Sequence, residues 1–429
     1  MNLSVAGTGY VGLVAGVCFA EKGHSVTCVD VDEKKVELMK SGISPIFESG
    51  LEELMRKNHA AGRLDYTTDY ASAYRNSDAI FIGVGTPEQP DGSANLSYIA
   101  TAARQIAESL TGECLVVVKS TVPVGTNDKV EQFIRDFLVK DVHVEVASNP
   151  EFLAQGSAVR DTLHASRVII GTESEWAEGL LRKIYEPFGL PIVSVSRRSA
   201  EMAKYAANDF LALKISYMND IANLCELVGA NIQDVARSMG YDERIGRNFL
   251  SAGIGYGGSC FPKDTKALKF LARQNGYALK TVEASVEVNS LQKTKLFKKA
   301  SDRMITFQGL KVAALGLTFK PGTDDLREAP SIDNVKLLLD SGADIYAYDP
   351  VGTENFRRLF PTITYCETPQ EALAKANVCF IFTDWGEIKA VEPAEYKRLM
   401  RTPLVYDGRN MYSLSEMKNA GVEYYSIGR

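Results

Sequence analysis

Leu3-Ser4-Val5-Ala6-Gly7-Thr8-Gly9-Tyr10-Val11-Gly12, an apolar stretch to about Lys22, and then Ser25-Val26-Thr27-Cys28-Val29-Asp30 decide how the N-terminal part of this 429-residue chain folds. The order is strand, GxGxxG, helix, strand and an acidic residue about 20 positions on, the context in which this motif binds a dinucleotide. Each part has a physical task. Gly7 makes the tight turn, Gly9 admits the pyrophosphate to the backbone at the helix N-terminus, and Gly12 lets helix and strand pack closely. Asp30 would hydrogen-bond the ribose hydroxyls, and its charge would repel the extra phosphate of NADP, so NAD is the expected cofactor. The competing reading is a nucleotide fold that has lost its ligand.

Working outward, Ala79-Ile80-Phe81-Ile82-Gly83-Val84, Leu115-Val116-Val117-Val118, His143-Val144-Glu145-Val146-Ala147 and Val168-Ile169-Ile170-Gly171 read as parallel strands buried on both faces. The first three lead into Gly85-Thr86-Pro87, Ser120-Thr121-Val122-Pro123-Val124-Gly125-Thr126 and Asn149-Pro150-Glu151-Phe152-Leu153. Ligands of open α/β sheets bind outside the carboxyl ends of the strands, which makes Thr86, Thr121 and Glu151 site candidates. Helix caps and turns are the other use of such residues. A helix around Trp176 to Tyr185 belongs to the same domain, placed at residues 1–198.

From Ser199 to Gly229 there is no proline, and apolar residues recur at helical spacing. A helix of that length spans roughly 45 Å, with Ser199 as N-cap and Gly229 as the stop. It carries Lys204 and Asn208, which share a face; Lys204 reads as a cleft lysine or as a surface one. A shorter helix (Ile232 to Met239) follows. Next comes Gly255-Tyr256-Gly257-Gly258-Ser259-Cys260-Phe261-Pro262-Lys263-Asp264. Here a thiol stands behind glycines and at a helix start. A free thiol has a pKa of about 8.5, and a nearby lysine and the positive end of a helix both favour the thiolate. A structural cysteine beside a turn is the alternative. Helical segments to about Arg303 complete an all-α middle domain, residues 199–303.

Residues 304–429 repeat the α/β pattern. Lys311 to Leu317, Asp344 to Asp349, Val378 to Phe382 and Leu404 to Asp407 are its strands, and it has no GxGxxG. A second dinucleotide is therefore not expected. The loop Phe319-Lys320-Pro321-Gly322-Thr323-Asp324-Asp325-Leu326-Arg327 and Asp407-Gly408-Arg409-Asn410 offer cations suited to a phosphorylated ligand, against ordinary salt bridges as the plainer reading. The expected fold class is α/β: two Rossmann-like doubly wound domains joined by a long central helix and an all-α middle domain.

Composition excludes several function classes. With 45% hydrophobic and 24% charged residues the chain is an ordinary globular one, and a net charge of −6 argues against a nucleic-acid partner. No apolar run approaches the roughly 18 residues of a membrane span. Seven cysteines without CxxC spacing argue against a zinc site, so no metal is expected. Their odd number, with no basic segment ahead of an apolar one at the N-terminus, fits a cytoplasmic protein.

Together, Gly7 to Gly12, Ser120 to Gly125, Asn149 to Leu153, Gly257 to Asp264 and Phe319-Lys320-Pro321 resemble the signatures of the nucleotide-sugar dehydrogenases, the UDP-glucose/GDP-mannose dehydrogenase family. The resemblance covers nearly the whole chain. It implies oxidation of C6 of a nucleotide sugar to a carboxylate with two NAD, through a thiohemiacetal and a thioester on Cys260. It implies Lys204 and Asn208 as oxyanion partners, Asp264 as an orienting group, and Glu151, with Thr121 through a water, as general base. For NAD it implies Gly7, Gly9, Tyr10, Val11, Gly12, Asp30, Lys35, Thr86, Thr121, Lys263, Arg327 and position 155, where Gln155 stands in place of the glutamate of many members. For the sugar nucleotide it implies Glu151, Phe152, Leu153, Lys204, Asn208, Phe249, Leu250, Ser251, Ala252, Gly253, Gly257, Lys320 and Arg409. Arg244 matches an arginine that reaches into the neighbouring site of a homodimer built on the long helix. Phe261 and Ser259 match members that use UDP-glucose, which is the expected substrate. The readings beside it are GDP-mannose or another nucleotide sugar, and a non-catalytic NAD-binding protein.

Overall fold

β1 (Asn2–Ala6) runs through the middle of the first sheet of the computed structural model, which describes residues 1–429. With β2 (Ser25–Val29), β3 (Leu64–Thr67), β4 (Ala79–Ile82), β5 (Cys114–Val118), β6 (Val144–Ser148), β7 (Val168–Gly171) and β8 (Ile192–Val195) it forms a sheet in the order β3-β2-β1-β4-β5-β6-β7-β8. All pairings are parallel except β6 with β7, which meet antiparallel at Ser148 and Gly171. β4 and β5 are wholly buried, as their unbroken apolar sequences require. The helix Tyr10–Glu21 is apolar on every side and correspondingly buried from Gly12 to Ala20. It lies against the helices Leu51–Ala60 and Ala158–Leu163.

The second sheet takes β9 (Lys311–Leu315), β10 (Asp344–Tyr348), β11 (Thr364–Tyr365), β12 (Val378–Ile381), β13 (Leu404–Asp407) and β14 (Glu423–Tyr425) in the order β11-β10-β9-β12-β13-β14, all parallel. Counted from the first strand of each, both sheets follow the 3-2-1-4-5-6 order of the dinucleotide-binding fold. The expected α/β class with two doubly wound sheets is what is found.

The chain divides into two compact units, Met1–Ala207 and Asn208–Arg429. In the second, Met218 and Ala222 of the long helix share one core with Leu296 and Ala300 and with Val312 and Ala314 of β9. The helices Ile232–Gly240, Phe261–Gln274, Lys280–Lys293 and Lys295–Ser301 lie in this unit.

The long helix covers Arg197–Val228 and starts earlier than the sequence suggests. Its N-cap is Ser196, whose hydroxyl accepts the Ser199 N–H at 3.2 Å, so Ser199 is the third helical residue and not the cap. The two serines are equally good caps on paper, and the tie is broken by where β8 ends. The stop is as expected. Gly229 takes φ +76, and the Ala230 N–H closes back on the Cys225 carbonyl at 3.0 Å. No helix is long and apolar enough to cross a membrane.

Candidate active site

The glycines of the first turn each meet a different constraint. Gly7 has φ +95, and a Cβ there would lie 2.9 Å from Val84 Cγ1; a Cβ at Gly12 would overlap the Gly7 carbonyl oxygen. At Gly9 a Cβ would meet nothing within 4 Å, so the space over this residue is left open at the start of the helix begun by Tyr10 and Val11. Gly9 makes no side-chain cap there, and a helix N-terminus behind an open glycine suits a phosphate. Asp30 Oδ2 accepts the Thr8 N–H at 3.0 Å and the Thr8 hydroxyl, and Oδ1 accepts the Asp32 N–H at 3.1 Å. Burial acts to raise this carboxyl, but the Thr8 and Asp32 hydrogen bonds outweigh it and hold the group below the usual carboxylate range. An ionised acceptor beside an open glycine turn fits NAD. Lys35 is exposed on the following helix, Glu33–Lys40.

The ends of β4, β5 and β6 supply the next group. The Thr86 hydroxyl donates to the Thr121 carbonyl at 2.9 Å and ties two of these loops together. Glu151 Oε1 lies 3.0 Å from Lys204 Nζ, and its Oε2 accepts the Leu153 N–H at 2.7 Å. Lys204 is only 2% exposed, which decides against a surface lysine. Its Nζ is 5.3 Å from the centre of the Phe152 ring, and the Arg167 guanidinium covers that ring at 3.8 Å. Gln155 is buried in the same segment.

Three side chains here went unassigned by sequence reasoning. Lys119, at the end of β5, is buried and donates to Asn149 Oδ1 at 2.9 Å and the Tyr185 hydroxyl at 3.3 Å. Desolvation brings its pKa down to about 8, against the opposing pull of Glu151. Asn149 also donates to the Ile169 carbonyl at 2.8 Å. Glu201 accepts the Gly125 N–H at 2.6 Å and the Asn127 N–H at 2.8 Å, capping the helix Thr126–Phe137 from 74 positions away in sequence. Sequence signals for all three were thin: a lysine ending a buried strand, an asparagine before proline, and one more glutamate on a long helix.

In the second unit, Cys260 is partly exposed and is the N-cap of the helix Phe261–Gln274, with Pro262 in the first turn. The Asp264 N–H closes the first helical bond on the Cys260 carbonyl at 2.8 Å. The sulfur thus stands at the positive end of the helix dipole. Four residues on, Asp264 is buried, accepts from Asn208 Nδ2 at 2.6 Å and lies 2.8 Å from Lys263 Nζ. The glycines ahead of the cysteine let the backbone pack closely against its neighbours. A Cβ at Gly257 would overlap the Glu328 carbonyl, and one at Gly258 (φ +84) would lie 2.7 Å from the Phe319 ring. The rings of Tyr256 and Phe249 meet Phe261 edge-on at 5.8 and 6.4 Å.

Arg409 follows β13 and is braced by three backbone carbonyls, of Phe382 at 2.8 Å, Gly255 at 3.3 Å and Phe319 at 3.2 Å. One guanidinium so joins the cysteine loop to the loop of Lys320. Leu250, Ala252 and Gly253 are buried, Ser251 is exposed, and Phe249 holds φ +63, a conformation that costs a non-glycine residue energy. Arg327 is held in a fork by Asp325 at 2.9 and 2.6 Å. Arg244 is 89% exposed and pairs with Asp242 at 2.6 Å.

A family model described as the NAD binding domain of the UDP-glucose/GDP-mannose dehydrogenase family matches residues 1–189; that family's central domain matches residues 198–291 and its UDP binding domain residues 313–414. The chain belongs to this family. UDP-glucose 6-dehydrogenase YwqF of Bacillus subtilis (strain 168) is 51% identical over 430 residues, covering 100% of this chain and 98% of that protein. UDP-glucose 6-dehydrogenase of Rhizobium meliloti (strain 1021) is 48% identical over 436 residues, covering 100% of both. Among solved structures, a UDP-glucose dehydrogenase from the hyperthermophilic archaeon Pyrobaculum islandicum is similar with a TM-score of 0.92 at 38% identity, over 99% of this chain and 96% of that one.

In this member of the UDP-glucose/GDP-mannose dehydrogenase family the second sheet has a corner like that of Gly7 and Asp30. Gly316, with φ +78, donates its N–H to the Tyr348 carbonyl at 2.8 Å, as Gly7 donates to Val29 at 2.8 Å. Asp349 takes the place of Asp30. Its Oδ2 accepts from Leu317 N at 2.6 Å, Thr318 N at 3.1 Å and Trp385 Nε1 at 3.1 Å, and its Oδ1 from Val351 N at 3.0 Å and Gly352 N at 2.7 Å. A carboxylate has about four lone-pair sites, so none is left for a ribose.

Proposed function

We propose that this chain oxidises UDP-glucose at C6 to UDP-glucuronate in two hydride transfers, by way of a covalent adduct on Cys260. NAD supplies the oxidant, one molecule accepting a hydride in each of the two oxidations. The Cys260 thiolate adds to the carbon of the aldehyde left by the first, giving a thiohemiacetal. Loss of the second hydride leaves a thioester, and water cleaves it to the carboxylate and frees the sulfur. Covalent capture divides a hard oxidation and retains the aldehyde.

Lys204 and Asn208 carry the oxyanions that develop on the substrate oxygen. The hydrogen bond to Asp264 fixes which way the Asn208 amide points, and Asp264 also orients the attacking water. Glu151, with Thr121, takes the proton of that water. The Gly7 to Gly12 turn and Asp30 hold NAD, helped by Lys35, Thr86, Gln155, Lys263 and Arg327. Phe152, Leu153, residues 249–253, Gly257, Lys320 and Arg409 hold the UDP-sugar. Residues 1–198 bind the cofactor, 199–303 bring the thiol and 304–429 bind the nucleotide.

The protein works as a homodimer. On the long helix Phe210, Tyr217 and Leu224 are exposed at seven-residue steps, with Leu227 and Val228 beyond them, a stripe that a second copy would cover. Arg244 of each subunit serves the neighbouring site.

The observation that carries this reading is Cys260 capping a helix whose first turn holds the buried Asp264–Asn208 hydrogen bond. Stoichiometry tests it: two NADH should form per UDP-glucose consumed, with UDP-glucose preferred in a panel that includes GDP-mannose. Cys260→Ala should lose acid formation, and Cys260→Ser should stall as a slowly hydrolysed ester. One NADH per sugar with free aldehyde released, or normal turnover by the alanine variant, would refute the covalent route.

A further inference from the structure

Lys119 is a buried cation whose hydrogen-bond partners are both neutral. Its ammonium donates to Asn149 Oδ1 at 2.9 Å and to the Tyr185 hydroxyl at 3.3 Å, and Tyr185 donates to the same Asn149 oxygen at 2.5 Å. Such a charge is costly to bury, and a core that needed only packing would be served by methionine or leucine. What the arrangement accomplishes is visible in Asn149. Its N–H is bound to the Val118 carbonyl at 2.9 Å, its amide donates to Ile169 at 2.8 Å, and its amide oxygen is held by Lys119 and Tyr185. Every polar group on that side chain is engaged, and the strand ends of β5, β6 and β7 are joined through it. Two residues further on is Glu151. The turn that aims this carboxylate at Lys204 therefore starts from a residue with no freedom of its own.

The charge matters as well as the hydrogen bond. The groups that face Lys119 are Glu151 after β6, Lys204 on the long helix, Cys18 on the helix Tyr10–Glu21 and Tyr185 on the helix Glu175–Tyr185. Burial holds Cys18 and Tyr185 in their neutral forms by raising both. That leaves two cations, Lys119 and Lys204, acting on one carboxylate.

We propose that Lys119 is the positioning residue for Glu151: through Asn149 it fixes the Asn149-Pro150-Glu151 turn, and it sets a second positive charge, beside that of Lys204, facing the Glu151 carboxylate. This rests on the reading of Glu151 as the base for thioester hydrolysis. Lys119 touches neither substrate nor cofactor in this role.

The test compares wild type with Lys119→Met and Lys119→Gln, and runs Glu151→Gln beside them, with melting temperatures to verify folding. Should the methionine variant not fold, the glutamine variant, which keeps a hydrogen-bond donor, is read in the same way. NAD binding measured by fluorescence and the KM for UDP-glucose should stay close to wild type. The kcat for acid formation should fall on the order of tenfold to a hundredfold. Wild-type kcat should also decline at alkaline pH with a midpoint at about 8 as Lys119 loses its proton, and the decline should vanish in both variants. A Lys119→Met enzyme with wild-type kcat and the same alkaline decline, while Glu151→Gln is slow, overturns the role of Lys119 alone. Loss of NAD binding, KM and kcat together also overturns it, since that is what a merely structural residue would give. Acid formation at the wild-type rate by Glu151→Gln overturns the reading of Glu151 and this inference with it.

Discussion

Asp209 is a carboxyl with no hydrogen-bond partner for either oxygen, 5% exposed on the long helix, one residue after Asn208. Desolvation, followed by the nearby charge of Asp264, pushes its pKa up to about 8. An unfolded aspartate titrates at about 3.9. Between those values the folded protein keeps a proton that the unfolded chain gives up, so stability is highest below the lower value and falls as pH rises to the upper one. The slope is on the order of 1.4 kcal/mol per pH unit at most. Asp209→Asn copies the protonated shape and should remove that slope. Its melting temperature should gain steadily on wild type from pH 5 to pH 8.5. Equal pH dependence in the two proteins would show that Asp209 is ionised throughout. The sequence held no hint of this residue. An acid within a long helix reads as part of the polar face, and only the neighbours brought by the fold make it buried. Lys119 and Glu201 were illegible for the same reason. Lys204 with Asn208, and Cys260 with Asp264, stand four residues apart within each pair, and local spacing of that kind is what a sequence displays.

At the level of elements, the path into the cysteine helix is set by close backbone contact. Gly257→Ala would drive a methyl into the Glu328 carbonyl, and neither backbone has a side-chain rotamer with which to yield. Overpacking of this kind costs about 1–3 kcal/mol. The variant should melt lower and lose activity, because the displaced loop carries Cys260. Gly179 is the control. It lies inside the helix Glu175–Tyr185, where an added methyl would meet nothing within 4 Å, so Gly179→Ala should be neutral or stabilising by up to about 1 kcal/mol. Melting curves and initial rates of the two variants decide the matter; equal behaviour would mean that the loop adapts. The same scale shows where pattern reading stops. β4, β5 and β12 are legible because burial on both faces demands unbroken apolar runs, and β6 departs from such a run only at Glu145 and Ser148. β3, β8, β11 and β14 have between two and four residues and are partly exposed, too short for an alternation to separate them from loop. The packing role of the glycines before Cys260 was also out of reach, because Glu328 and Phe319, the groups they accommodate, are some 60 to 70 positions away.

For the whole molecule, the dimer reading makes a demand that a single subunit cannot meet. If Arg244 serves a neighbouring site, then Arg244→Ala and Cys260→Ala proteins should each be inactive yet regain activity when dissociated and reassociated together, since the mixed dimer contains one site with both residues. Phe210→Glu with Tyr217→Glu should put like charges on the apolar stripe and give a species of monomer mass by sedimentation or light scattering. Absence of complementation would confine Arg244 to its own subunit. Doubly wound sheets were legible in the sequence before and after the long helix, although only the first has a glycine fingerprint, because strand and helix alternation does not depend on a ligand. The two corners, Gly7 with Asp30 and Gly316 with Asp349, then invite a historical reading. Two sheets with one strand order and one turn geometry look like copies of a single ancestral unit. In the second the acid is turned inward, and the Trp385 indole occupies an acceptor that a guest would need. Specialisation here consisted less in gaining a new pocket than in one copy ceasing to offer an old one.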